Sequence, residues 1–315
     1  MLSKQNTPAN TQVSFYGHET FPFRHSWLGK GINAVSQNPS FFTRERAMVD
    51  LGVGKNMVQA IRYWCLAAQL MREDVAGRWR YVPTEIGRHI FASGGFDPYM
   101  EDPATLWLLH WLIASNARQA TTWFWMFSHW NNIEFTKEKA AVEIQAWLER
   151  NGYRLVSDNS LKRDVDCFVR TYTRGRQSKQ AILEDSLDCP LVDLRLISEL
   201  NDGRIYQFQR GSQASLPDEV FAFALGMFWR ASSSQSKTLA FAKIAHDPGS
   251  PGRVFKLDED SLASRLERLE TLTKGALYYD ETSGLKQVSK RSEIAPMELL
   301  TRYYRPRVIG ATSTR

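Results

Sequence analysis

The chain has 315 residues, 43% hydrophobic and 12% aromatic, which excludes a disordered polymer and suits two or three domains of ordinary size. A formal charge of +6 favours a polyanionic partner, and the basic excess gathers in residues 44–88, 150–180 and 286–315. Residues 1–13 are polar and expected to be loose. The block SFYGHETFPFRHSWLGKGINAV, aromatic and glycine-rich, reads as an ordered cap with a short helix near its end. Next, FFTRERAMVDL carries apolar residues at helical spacing and the glycines of GVGKN break it. MVQAIRYWCLAAQLM resumes as a helix with Met57, Ile61, Trp64, Cys65 and Ala68 on one face. REDVAGRWRYVPT offers two short segments around Ala76 and Gly77 that can pair as a hairpin, and Thr84 caps a further helix in TEIGRHIFASG. Helix, turn, long helix, hairpin, helix is the order of a winged helix, whose second helix can enter the DNA major groove.

Residues 97–134 include DPATLWLLHWLIASNARQATTWFWMFSHW, two apolar helices. Their tryptophans would suit a base-stacking groove, but Leu, Ile and Met among them favour a buried core. A similar order recurs over 135–231: a helix in FTKEKAAVEIQAWLERNG, a second in SDNSLKRDVDCFVRTY capped by Ser157 or Asn159, and two strands turned at Asn201, Asp202 and Gly203. In 232–315, SKTLAFAKIAH is a short helix and LDEDSLASRLERLETLTKG a helix with an acidic first turn. ALYYDETSGLKQVSK is a hairpin turned around Thr282, Ser283 and Gly284, and TRYYRPRVIG a basic tail. The expected fold is mainly α (α+β): tandem winged-helix-like units with short β-hairpin wings around an apolar helical core. Its divisions are 1–13, 14–96, 97–134, 135–231 and 232–315.

If the first unit binds DNA, Lys55, Asn56 and Gln59 at the start of the second helix face base edges, because amide and amine groups match purine donors and acceptors. Arg62 holds phosphate, and Arg78 and Arg80 on the wing hold phosphate or reach the minor groove. Lys162, Arg163, Arg170, Arg174 and Arg176, with Lys179 beyond, would span several phosphates from the second unit or form a solvated basic face. Tyr303 and Tyr304 among Arg302, Arg305 and Arg307 suit a single-strand groove or a tail docked on the body. The stretch from Gly52 to Lys55 is no phosphate-binding loop, since GxxxxGK needs glycine where Val49 stands and Ser or Thr where Asn56 stands.

His18, Glu19, Arg24 and His25 are the one cluster with catalytic chemistry: two imidazoles and a carboxylate to hold a divalent ion or move protons, and a guanidinium to steady a phosphate. Their spacing is not that of HExxH, so a structural or phosphate-binding role stands beside the catalytic one, and the metal is unknown. Neither an HNH-like arrangement nor a strand-borne nuclease motif is present. Three scattered cysteines, Cys65, Cys167 and Cys189, suggest neither disulfides nor thiolate zinc. Without a signal-peptide core or an unbroken apolar span, a cytoplasmic protein with no membrane contact is expected.

The opening FYGHETFPFRHSWLGKGI, with FFTRERAMVDLGVGKNMVQAIRYWCLAAQL behind it, resembles a bacterial family of formerly unknown function encoded beside DNA sulfur-modification genes, that of the SspB-type component of single-strand DNA phosphorothioation. The likeness covers roughly residues 14–305. It implies a DNA-binding, DNA-nicking role in phage defence, with magnesium or manganese as possible cofactor and a cysteine desulfurase, an ATPase and a sulfurtransferase as partners. The residues alone leave two other readings open, a non-enzymatic DNA-binding adaptor or transcriptional regulator, and a docking scaffold for the sulfur-transfer enzymes.

Overall fold

The computed structural model describes residues 13–174, 189–233, 235–282 and 284–312, with the side chains of the last helix described to Arg305. Within them the fold is α+β, with helices carrying small antiparallel sheets. Helix α1 (His25–Gln37) buries Trp27, Leu28, Ile32 and Val35. The helix expected across FFTRERAMVDL is instead a 3₁₀ turn at Phe41–Thr43 and a short α2 (Ala47–Leu51), because Arg44 is extended between them. Gly52 ends α2 with φ 68°, the left-handed conformation glycine adopts without steric cost. Helix α3 (Lys55–Ala67) turns Val58, Ile61, Trp64 and Cys65 inward. Strands β1 (Met71–Glu73) and β2 (Tyr81–Pro83) pair antiparallel, and α4 (Glu85–Phe91) follows with the Thr84 hydroxyl accepting from the Gly87 amide at 3.2 Å. A Cβ at Gly87 would lie 2.0 Å from the Leu70 carbonyl oxygen, so the missing side chain is what lets α4 seat against β1.

Helices α5 (Pro103–Ala114) and α6 (Thr121–Ser128) are buried on nearly every side, as helices apolar all round should be. Strand β3 (Glu134–Phe135) precedes α7 (Lys137–Arg150), α8 (Asp158–Tyr172), β4 (Ile197–Leu200) and β5 (Ile205–Phe208). Ser157, not Asn159, caps α8, accepting from the Ser160 amide. The expected two-strand hairpin gains β3 as a third strand, in the order β3-β5-β4. Helix α9 (Asp218–Ser233) has no counterpart among the expected elements.

The remaining elements are β6 (Thr238–Ala240), α10 (Phe241–His246), α11 (Pro251–Val254), α12 (Glu259–Glu267), α13 (Leu269–Leu272), β7 (Leu277–Thr282), β8 (Leu285–Lys290) and α14 (Pro296–Thr312). Again a strand joins the expected hairpin, giving the order β6-β8-β7. The expected basic tail is α14, packed on α9. Tyr303 donates to Asp102 at 2.9 Å, and Tyr304 stacks on Phe96 while sharing a 2.8 Å hydrogen bond with Thr105. Both rings are buried, so this segment is docked and offers no stacking platform. Buried apolar side chains from Phe23 to Tyr304 form one continuous core.

Candidate nucleic-acid interface

The amphipathic period of α3 leaves its other face in solvent. Lys55 and Asn56 are exposed and Gln59 and Arg62 half-buried; Gln59 lies four positions from Lys55 and three from both Asn56 and Arg62, which puts the set on one stripe. Four donor-bearing side chains therefore line the outer face of α3, beginning at its first residue.

The hairpin between β1 and β2 extends this stripe. Asp74 organises its loop: the Asp74 carboxylate accepts from the Ala76 amide at 3.2 Å and from Arg80 Nε at 3.4 Å. Arg80, expected to hold phosphate or reach the minor groove, is thus turned toward the loop while its side chain stays 42% exposed. Trp79, in the loop two residues before β2, is 44% exposed, with φ 62°. A bulky residue held left-handed carries strain, and such strain concentrates where a side chain must be presented. Arg62 lies 5.2 Å from the Trp79 ring centroid and Arg78 lies 5.3 Å from it. Burial pushes the Tyr81 hydroxyl up in pKa, against which Arg62, hydrogen-bonded to it, acts in the opposite direction. Helix and hairpin are thereby joined through Arg62, leaving an exposed indole between two guanidinium groups. Trp79 was not singled out from the sequence, although Arg-Trp-Arg in a glycine-turned hairpin was the available signal.

The second basic set divides. Lys162 and Arg163 are exposed on α8, but Arg163 also covers the Tyr16 ring and reaches its hydroxyl at 3.3 Å. Arg170 donates to Asp166 at 2.9 Å and to the Thr20 carbonyl at 2.5 Å, so it secures the N-terminal loop rather than facing a phosphate. Half-burial works the other way, but Lys137 and Arg170 hold the Asp166 carboxyl below its ordinary pKa. Arg174 is exposed, 3.9 Å from Asp193; Arg176 and Lys179 lie outside the described residues.

The catalytic cluster does not assemble. His18 is fully buried among Tyr63, Trp64 and Trp123. Its Nδ1 accepts from the Thr20 amide at 3.0 Å, so Nε2 carries the hydrogen and donates to Asp164 Oδ1 at 2.7 Å. Asp164, itself buried, also accepts from the Tyr16 amide at 2.6 Å and from the Thr122 hydroxyl. Glu19 sits in the turn with φ 51°, Arg24 covers Trp27 from the N-cap of α1, and His25 is exposed at the start of that helix. With both His18 nitrogens engaged, the set does not fit magnesium or manganese, which favour oxygen ligands. Among the described residues no group of three or more His, Cys, Asp or Glu side chains could hold a metal ion. All three cysteines are buried, and burial pushes the Cys65 and Cys167 thiols up, away from the reactive thiolate. Among the described residues no helix is long and apolar enough to cross a membrane.

A family model described as a protein of unknown function, DUF4007, matches residues 15–304. Two solved structures are similar: SspB, with a TM-score of 0.82, and magnesium-bound SspB, with 0.83. In each case identity is 30%, over 92% of this chain and 88% of the other. No curated protein matches.

Proposed function

The chain belongs to the DUF4007 family, and on that premise we propose that it is a DNA-binding component of a phosphorothioation system. Duplex DNA lies against α3 and the β1–β2 hairpin, as on a winged helix: Lys55, Asn56 and Gln59 enter the major groove, and Arg62, Arg78 and Trp79 flank it. The observation that carries this reading is the continuity of the α3 stripe with the Trp79 hairpin through Arg62.

Each of Lys55→Ala, Arg62→Ala and Arg78→Ala should weaken binding, and each lost phosphate contact should lower the slope of log affinity against log salt by about 1. Fluorescence anisotropy with a duplex at two salt concentrations checks this. Unchanged affinity in the triple variant would overturn the reading.

Strand nicking is the second reading, favoured by the similarity to magnesium-bound SspB. Conversion of supercoiled plasmid to open circles by the wild type with magnesium or manganese tests it. Intact plasmid that still binds the protein would leave a non-enzymatic adaptor.

A further inference from the structure

Ten tryptophans are spread along the chain, and nine of them are buried or half-buried. Trp79 alone is exposed, in the loop between β1 and β2 and outside the apolar core. That loop is tied down. The Asp74 amide donates to the Arg80 carbonyl at 2.8 Å and the Gly77 amide to the Asp74 carbonyl at 3.3 Å, in addition to the bonds made by the Asp74 side chain. A fixed loop therefore holds a large apolar ring in water, at a left-handed φ that costs a tryptophan strain. Such a ring is placed to meet a partner.

The neighbouring charges narrow the kind of partner. Arg62 from α3 and Arg78 from the loop bring their guanidinium carbons to 5.2 Å and 5.3 Å from the ring centroid. Flat contact between stacked groups is about 3.5–4 Å, so neither guanidinium is pressed onto the centre of the ring. Neither arginine is ion-paired among the described residues. Of the two carboxylates beside them, Asp74 accepts from Arg80 and the Ala76 amide, and Glu73 lies opposite Tyr81 in the strand register. An open indole flanked by unpaired guanidinium groups suits a flat ring that carries an anion, which is the chemistry of a nucleotide. A base inside an intact duplex has no face to offer, because its neighbours cover both sides. Only a base that has left the stack can lie on an indole.

We propose that Trp79 is a stacking platform for one unpaired base of a DNA strand, with the phosphates beside that base held by Arg62 and Arg78. The favoured substrate is then a duplex opened locally next to the hairpin, in preference to one paired throughout. The platform rests on the DNA-binding reading and specifies the state of the strand that the same site takes.

Fluorescence anisotropy of the full chain with three labelled duplexes of equal length tests this. One is fully paired, one carries a single unpaired thymidine, and one carries an abasic residue in its place. The wild type should bind the unpaired thymidine about 10-fold more tightly than the abasic duplex. Trp79→Ala should abolish that preference, and Trp79→Phe, which keeps a ring, should retain most of it. The readout is a ratio within each protein, so a loss of affinity common to all three duplexes cancels. Equal binding of the unpaired and abasic duplexes by the wild type, or a preference that survives Trp79→Ala, would overturn the platform. Duplex affinity lost in the Lys55, Arg62 and Arg78 variants would leave the DNA-binding reading standing in that event, so the two failures are distinguishable.

Discussion

Replacing His18 with alanine would strip the buried Asp164 Oδ1 of its imidazole donor and open a hole among Tyr63, Trp64 and Trp123. The expected cost is about 2–4 kcal/mol, from a broken buried network plus a cavity. Asp164→Ala should cost a similar amount by orphaning the Tyr16 amide and the Thr122 hydroxyl. Calorimetry measures both, and any His18→Ala that remains folded should keep wild-type duplex affinity; selective loss of plasmid nicking at unchanged Tm would return His18 to a catalytic role. Lys256 is the opposite kind of buried residue. Its ammonium contacts the Phe127 carbonyl at 3.3 Å and sits 4.1 Å from the Phe208 ring centroid. Burial first, then Arg253 and Arg210, lower it from 10.5 to about 7. Between those values the unfolded chain holds a proton that the folded chain has released, so stability rises with pH across that window. Lys256→Met should raise Tm at neutral pH and flatten the rise between pH 7 and 10.5; an unchanged slope in Tm against pH would contradict it.

At the scale of elements, the seat of α4 on β1 depends on the absent side chain of Gly87. Alanine there would drive a methyl to 2.0 Å from the Leu70 carbonyl oxygen, which is backbone and has little room to move. Gly87→Ala should therefore cost about 1–3 kcal/mol and, by tilting the hairpin against α3, weaken duplex binding; a urea midpoint matching the wild type would show that the backbone accommodates it. The same element bears on what the sequence made legible. Thr84 as cap, the glycine-broken pair around Gly52, and the strands about Asn201–Gly203 could all be read, because capping, turn chemistry and periodicity act within a few residues. Strands β3 and β6 could not, since Glu134–Phe135 and Thr238–Ala240 are short and become strands only by pairing with distant partners. The α3 stripe was legible for the same local reason. The clamp of Arg80 by Asp74, the docking of Arg170 on Thr20 and the union of His18 with Asp164 depend on orientation or on long-range contact. Residue type and spacing do not encode those.

For the molecule as a whole, acid is the sensitive direction. His110 is wholly buried between the Tyr172 hydroxyl and the Val254 carbonyl, and burial lowers it from 6.5 to about 3. His129, lowered to about 4, behaves alike. Below pH 6.5 the unfolded chain takes up protons that these folded sites refuse, so stability falls as pH drops. The slope should reach about 1.4 kcal/mol per pH unit for each group fully out of balance. Denaturant titrations from pH 7 to 4 check this, and His110→Gln should reduce the slope; a stability curve level over that range would contradict it.

The bonds from Tyr303 to Asp102 and from Tyr304 to Thr105 join residues about two-thirds of the chain apart. A ribosome makes the first partner of each pair long before the second. Until α14 emerges, the first turn of α5 and the surface of α9 on which α14 packs stay open, so the nascent protein cannot close this part of its core until residues 303 and 304 have been made.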